Sequence, residues 1–299
     1  MVLSKTVGLC DAVELAALNL RVKLSSKDLA RQFWPGQDIA EVEAELDDVL
    51  RLARLRCTAC PASYPFEVSE RSISFKDSVG FNTYLFLLLG RALDFGGPEN
   101  NPELQRKFRH FFEDVVCWAM RKSAFAAEVL SIPREPRGLH VQLAPALRQI
   151  AMRFGEPAQL REDRLAANDN DLDVDVLAVP RTGNGTLGGW PVFQIQCATG
   201  KIDRLEAKTS EGAQTFCTVW ENGFYPGCRV RGAATPDDLL SLDIIYWLRL
   251  GQAGWIIDRT RIAYLASGNT DVPLPPDLSA FWDEIWAAKS DITWQTGWQ

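Results

Sequence analysis

Histidine is scarce in this chain: His110 and His140 are the only two in 299 residues. Neither lies in a ligand spacing, so a His-based triad or a His-rich metal centre is poorly supplied. Cysteine occurs seven times, an odd number at irregular spacing, in a chain long enough to fold on its own core. That pattern reads as a reducing cytoplasm without a disulfide framework. Long apolar runs are missing as well. The longest is Tyr84–Leu89, whereas a membrane span needs about 20 such residues. The opening residues hold a single early lysine and no clean apolar core, and they do not read as a secretory signal. A basic excess is lacking too: the net charge of −7 excludes a histone-like binder of polyanions. What is present, 46% apolar and 24% charged residues, is an ordinary globular composition of a length that suits about two domains.

Charge is uneven along the chain. Residues 1–105 carry a net −4, residues 106–164 a net +4 and residues 165–299 a net −7. The basic middle is followed by an acidic run, Asp169, Asp171, Asp173 and Asp175. A basic surface beside a carboxylate cluster suits a site that gathers phosphates and sets a metal against one of them; solvated helix faces give the same tally.

Apolar periodicity predicts helices over 11–22, after a Ser25 cap with Asp28 three residues on, and over 38–55. Strands are predicted at 65–68 and 72–75. Three helices and a hairpin give a winged-helix-like unit, whose acidic balance favours a protein partner over DNA. An apolar helix follows at 79–93, and GGPENNP at 96–102 marks a boundary. The chain therefore divides into a winged-helix-like domain plus connecting helix, 1–98, and a second domain, 99–299. The second is predicted α/β. Its helices are 103–123, 141–154, 235–251 from a Thr235-Pro236 start, and 280–289 from a Ser279 cap. Its strands are 172–179, 192–198, 255–258 and 261–265.

Three motifs stand out. Gly183-Asn-Gly185-Thr-Leu-Gly188 spells a dinucleotide loop, but Trp190-Pro191 and a strand follow where a helix is needed, so it reads as a turn. Cys57-Thr-Ala-Cys60 is a lone pair without a second one, and is not read as a zinc site. The third is Asp173-Val-Asp175, then Gln194-Ile-Gln196-Cys-Ala-Thr-Gly200-Lys201. Alternate strand residues share a face, so Asp173 would point with Asp175 and Gln194 with Gln196. If the two strands pair, carboxylate and amide oxygens converge, a donor set suited to Mg2+. A surface hairpin with its polar residues outward is equally compatible with the spacing.

This segment resembles the PD-(D/E)XK, or restriction-endonuclease-like, superfamily in its Mrr-like form. More narrowly, QCATGK resembles a group of bacterial, defence-associated nuclease-like proteins. Phe112-Glu113 upstream and Asp258-Arg259-Thr260-Arg261-Ile262 downstream match that group, over about residues 106–265. The resemblance implies a mixed sheet flanked by helices and an Mg2+- or Mn2+-dependent endonuclease of anti-phage defence, cutting DNA, with RNA still possible. It implies Asp175, Glu113 and Gln196 around the metal, to which the strand-face reading adds Asp173. The superfamily lysine position is Ala198 here, which leaves Lys201 as the substitute, with Lys208 second. From the basic segment, Arg134, Arg137, Arg148 and Arg153 are candidates for a phosphate track. The competing expectation is a degenerate nuclease fold that binds nucleic acid or a protein partner through the N-terminal unit; a homodimer is compatible with either reading.

Overall fold

A capping box opens the first well-marked helix. The Ser25 side chain accepts from the Asp28 amide, and the Asp28 carboxylate accepts from the Ser25 amide at 2.9 Å. The computed structural model describes residues 5–77, 80–95, 101–155, 159–165, 172–181, 191–199, 205, 219–220, 229–240 and 254–292. Its N-terminal unit runs α1 (Lys5–Leu20), β1 (Leu24–Ser25), α2 (Ser26–Phe33), α3 (Ile39–Ala59), β2 (Phe66–Val68) and β3 (Ser72–Phe75). The three strands form a small antiparallel sheet in the order β1-β3-β2. The short β1 is too brief to leave a pattern in the sequence.

Helix α4 (Thr83–Phe95) follows. It crosses α5 (Pro102–Lys122) closely at Gly90, where a Cβ would overlap the Phe108 ring. The second unit continues with β4 (Phe125–Val129), α6 (Leu143–Phe154), β5 (Val176–Pro180), β6 (Val192–Cys197), β7 (Arg229–Ala234), β8 (Trp255–Ile257), α7 (Arg259–Ala266) and α8 (Pro276–Ala287). One five-stranded mixed sheet, ordered β4-β5-β6-β7-β8, has two antiparallel pairings and then two parallel ones. Its faces read directly from β5. Val176 and Ala178 pack with Phe108, Phe112 and Val115 of α5, whereas Leu177 and Val179 pack with Leu143, Leu147 and Ile150 of α6. A central strand covered on both faces is apolar at every position, as Val-Leu-Ala-Val is. The protein is thus α/β, with helices on both faces of the sheet. Among the described residues no helix is long and apolar enough to cross a membrane.

Several elements differ from expectation. Strand β4 was not anticipated; Ala126, Ala127 and Glu128 have little β preference, and the strand is imposed by pairing with β5. Residues 261–265, expected as strand, are helix α7, because Asp258 caps it by accepting from the Arg261 amide at 3.0 Å. Thr235-Pro236 does not start a helix within 235–240, since Asp237 and Asp238 turn their carboxylates onto buried Arg91 and Arg56. Residues 241–250 lie outside the described set. The last helix starts at Pro276 rather than after Ser279, whose amide is already an interior donor to the Pro275 carbonyl.

The two units share one apolar core and a fully buried ionic cluster. Arg56 of α3 reaches Asp11 at 2.7 Å, Glu14 at 3.0 Å and Asp238. Arg259 clasps both oxygens of Asp11 at 2.8 Å. Tyr64 and Tyr84 donate to Glu14. Burial opposes ionisation of Asp11, but the Arg259 and Arg56 guanidiniums prevail and hold its carboxyl below the ordinary range. Glu14 is raised, by burial first, with the Asp11 charge adding to it against Arg56.

Candidate functional site

The backbone just before β5 is unusual. Leu172 and Asp173 both have φ of 57°, a left-handed pair that non-glycine residues seldom adopt. Strand β5 begins only at Val176, so Asp173 and Asp175 do not alternate on one strand face as expected. The left-handed step re-aims the chain before the ladder starts. Val176 is registered on Ile195, and the Asp175 amide also donates to the Ile195 carbonyl at 3.0 Å. The Asp175 carboxylate then accepts from the Cys197 amide at 2.6 Å. Asp175 therefore grips β6 on both sides of Gln196. The expected hairpin pairing of these segments is present and antiparallel.

Gln194 and Gln196 do share a face of β6, the one that carries Val192 toward α6. The Gln196 side chain is buried, and its Nε2 donates to the Asp173 carbonyl. Its Oε1 is buried and has no hydrogen-bond partner among the described residues. A buried amide oxygen without a partner calls for an explanation, and a hard cation is one that its oxygen chemistry fits.

Glu113 arrives from α5, one residue past the core-facing Phe112. Its Oε2 accepts from Ser131 Oγ and from Arg137 Nη2 at 3.2 Å. Burial, and after it the nearby charge of Asp175, push its pKa up to about 7. Two carboxylates and one unsatisfied amide oxygen thus come from α5, the β5 entry and β6. No group of three or more His, Cys, Asp or Glu side chains able to hold a metal occurs among the described residues. The donor set instead mixes acid and amide, and the orphaned Oε1 fits a cation.

The arginines separate into two kinds. Arg134 is buried and turned inward, donating to the Leu130 and Val141 carbonyls at 2.7 and 2.8 Å. Arg137 is engaged by Asp114, Glu113 and Ser131. Neither lies on a surface phosphate track, which corrects the expectation for both: sequence shows a basic run but not which guanidiniums neutralise acids inside. Arg148 and Arg153 stay partly exposed, paired with Glu162 and Glu128 respectively. Ala198 is buried, its amide bonded to the Ala234 carbonyl at 2.8 Å. Asp169, Asp171, Gly200, Lys201, Lys208 and the glycine-rich turn at 183–188 lie outside the described residues.

The downstream Asp258-Arg259-Thr260-Arg261-Ile262 segment is a helix cap and interunit clasp, remote in role from the carboxylates. Cys60 caps the end of α3, its thiol donating to the Arg56 carbonyl at 3.3 Å; Cys57 is half-buried beside it. A cavity of about 300 Å3 behind Arg137 is walled by His110, Phe111, Asp114, Trp118, Arg121 and Glu128. Within it Arg121 pairs with Glu128 and Arg137 with Asp114. Sequence reasoning missed Ser131, because a lone serine beside a proline-rich loop carries no signal until the helix is docked. Comparison with protein-family models, with curated proteins and with solved structures finds no match.

Proposed function

We propose that the protein is a metal-dependent endonuclease of the restriction-endonuclease-like kind, with a winged-helix-like N-terminal unit. The observation that carries this reading is the bond from the Cys197 amide to the Asp175 carboxylate on one side of Gln196, together with the buried Gln196 Oε1, which has no hydrogen-bond partner among the described residues. The order α5-β4-β5-β6 followed by parallel β7 supports the same reading, since it sets helix carboxylate, Asp and Gln at one end of the sheet.

Asp175, Glu113 and Gln196 Oε1 would hold Mg2+ or Mn2+, which supplies Lewis acidity and an activated water for in-line attack on a phosphodiester. Asp175 is anchored by the Cys197 amide, so its carboxylate keeps its direction when a substrate phosphate approaches. Gln196 contributes an oxygen without charge. Lys201 is assigned, from the sequence, to offset charge developing on the phosphate. The partly exposed Arg148 and Arg153 are the remaining candidates for backbone contacts to DNA.

The test is cleavage of plasmid and single-stranded DNA, and of RNA, with Mg2+ or Mn2+, by the wild type and Asp175→Asn. The asparagine keeps an acceptor for the Cys197 amide but loses the charge. Cleavage by the wild type that is lost in the variant supports the reading; equal activity in both sinks it. A second reading, a non-cutting subunit of the same fold, is favoured by one observation: the superfamily lysine position is a buried alanine bonded into β7. Metal and DNA binding without cleavage by the wild type would select it. The cytoplasm and anti-phage defence remain the proposed setting for either form.

A further inference from the structure

Arg137 spends all five of its N–H donors inside the protein. Nε and Nη2 clasp Asp114 at 2.8 and 3.0 Å, and Nη1 reaches the Ser131 carbonyl at 2.9 Å and its hydroxyl at 3.1 Å. The second Nη2 hydrogen goes to Glu113 Oε2 at 3.2 Å. The Ser131 hydroxyl, accepting from Arg137, donates its own hydrogen bond to that same Oε2. Both bonds to Glu113 fall on one oxygen. Oε1 accepts none among the described residues, and a carboxylate is planar, so fixing Oε2 fixes the direction of Oε1.

We infer that Arg137 and Ser131 are positioning residues for Glu113: together they lock one carboxylate oxygen so that the other is presented to a divalent cation shared with Asp175. This inference rests on the metal-site reading above. It reassigns Arg137 from the phosphate track to the metal site. A guanidinium with five satisfied donors and a 10% exposed side chain has nothing left to offer a DNA backbone. It also gives Asp114 a role, since the bidentate fork on Asp114 fixes the plane of the guanidinium that reaches Glu113. Hydrogen-bond partners behind a metal ligand typically contribute about 10- to 100-fold in metal affinity.

Charge and orientation have to be separated, because removing a guanidinium also removes a positive charge that opposes a cation. Arg137→Lys keeps the charge and loses the fork. Ser131→Ala keeps the whole guanidinium and loses one bond to Oε2. The full-length wild type and both variants are titrated with Mn2+, free ion being counted by electron paramagnetic resonance, at a temperature where circular dichroism shows each to be folded. The expected result is half-saturation raised roughly 10-fold or more in Arg137→Lys and several-fold in Ser131→Ala. A role confined to stability would lower the melting temperature and leave half-saturation of the folded protein unchanged, and that result in both variants overturns the inference while leaving the metal site standing. No Mn2+ bound by the wild type overturns the metal-site reading and the inference with it. In a second arm, Arg137→Gln is compared with the wild type for binding of a labelled duplex in chelator across a salt series. The same affinity and slope are expected; a slope reduced by about one phosphate contact would return Arg137 to the DNA track and overturn the inference.

Discussion

The side-chain amide of Gln196 donates to the backbone carbonyl of Asp173, 23 residues away, and so holds the second of two consecutive left-handed residues. A glutamate at this position would carry no donor at neutral pH and would set an oxygen against that carbonyl. The turn before Asp175 therefore asks for glutamine on structural grounds, whatever the cation asks for.

Gln196→Glu should lower stability by about 1–3 kcal/mol in chelator, the usual result of losing one partner of a buried polar pair. Part of that loss should return on adding millimolar Mn2+, which would neutralise the new carboxylate. Urea unfolding with and without Mn2+ measures both. A variant as stable as the wild type in chelator would show that the Asp173 turn does not depend on the amide.

Glu113 gives a pH signature. Its folded pKa of about 7 lies above the value near 4.3 of an unfolded glutamate. Between those values the native state binds a proton that the unfolded chain has released. Its contribution is fully present below pH 4.3 and is lost as pH rises toward 7. In chelator, the stability of the wild type relative to Glu113→Gln should therefore fall across that window, by at most about 1.4 kcal/mol per pH unit, and level off above it. Unfolding curves collected from pH 4.5 to 8 check this; parallel curves for the two proteins would refute the raised pKa.

Arg259 and Asp11 are both fully buried. Arg259→Met should cost about 3–5 kcal/mol, because it strands the Asp11 charge with Arg56 as its remaining partner. Adding Asp11→Asn to it should recover much of the loss. Chemical denaturation of the single and double variants decides, and a double variant no more stable than Arg259→Met alone would show that the stranded charge is not the cause.

At Gly90 the Phe108 ring occupies the place a side chain would need. Gly90→Ala should destabilise by about 1–3 kcal/mol through overpacking between α4 and α5, against the small gain that alanine usually brings to a helix. Pairing it with Phe108→Leu should relieve the clash. A thermal melt of Gly90→Ala at or above the wild-type midpoint would contradict the close packing.

Much of this architecture can be read from residue order. The Ser25–Asp28 box, the stripe Phe108, Phe112, Val115 and the apolar run of β5 each declare their element locally. The antiparallel pairing of β5 with β6 was legible as well, because strand pairing across a turn is a local event. What the sequence hides depends on partners far away. Phe125–Val129 becomes a strand because β5 is there to receive it. Arg134 and Arg137 look like any exposed basic pair until the Leu130 carbonyl and Asp114 are placed beside them. Asp237-Asp238 looks like a helix start because nothing in its own neighbourhood announces Arg91 or Arg56.

The clasp between Asp11 and Arg259 spans 248 residues. On a ribosome, the first helix emerges with Asp11 and Glu14 long before the arginine that completes their neutralisation has been synthesised. Arg56 follows early enough to pair with both, but its third partner, Asp238, is also late. Until those residues arrive Asp11 and Arg56 each lack a buried partner, and the N-terminal unit is expected to stay looser and more open to proteases than in the finished chain. Chains stalled before residue 238 should accordingly be cut within α1 by a probe protease, and chains released at full length should resist it.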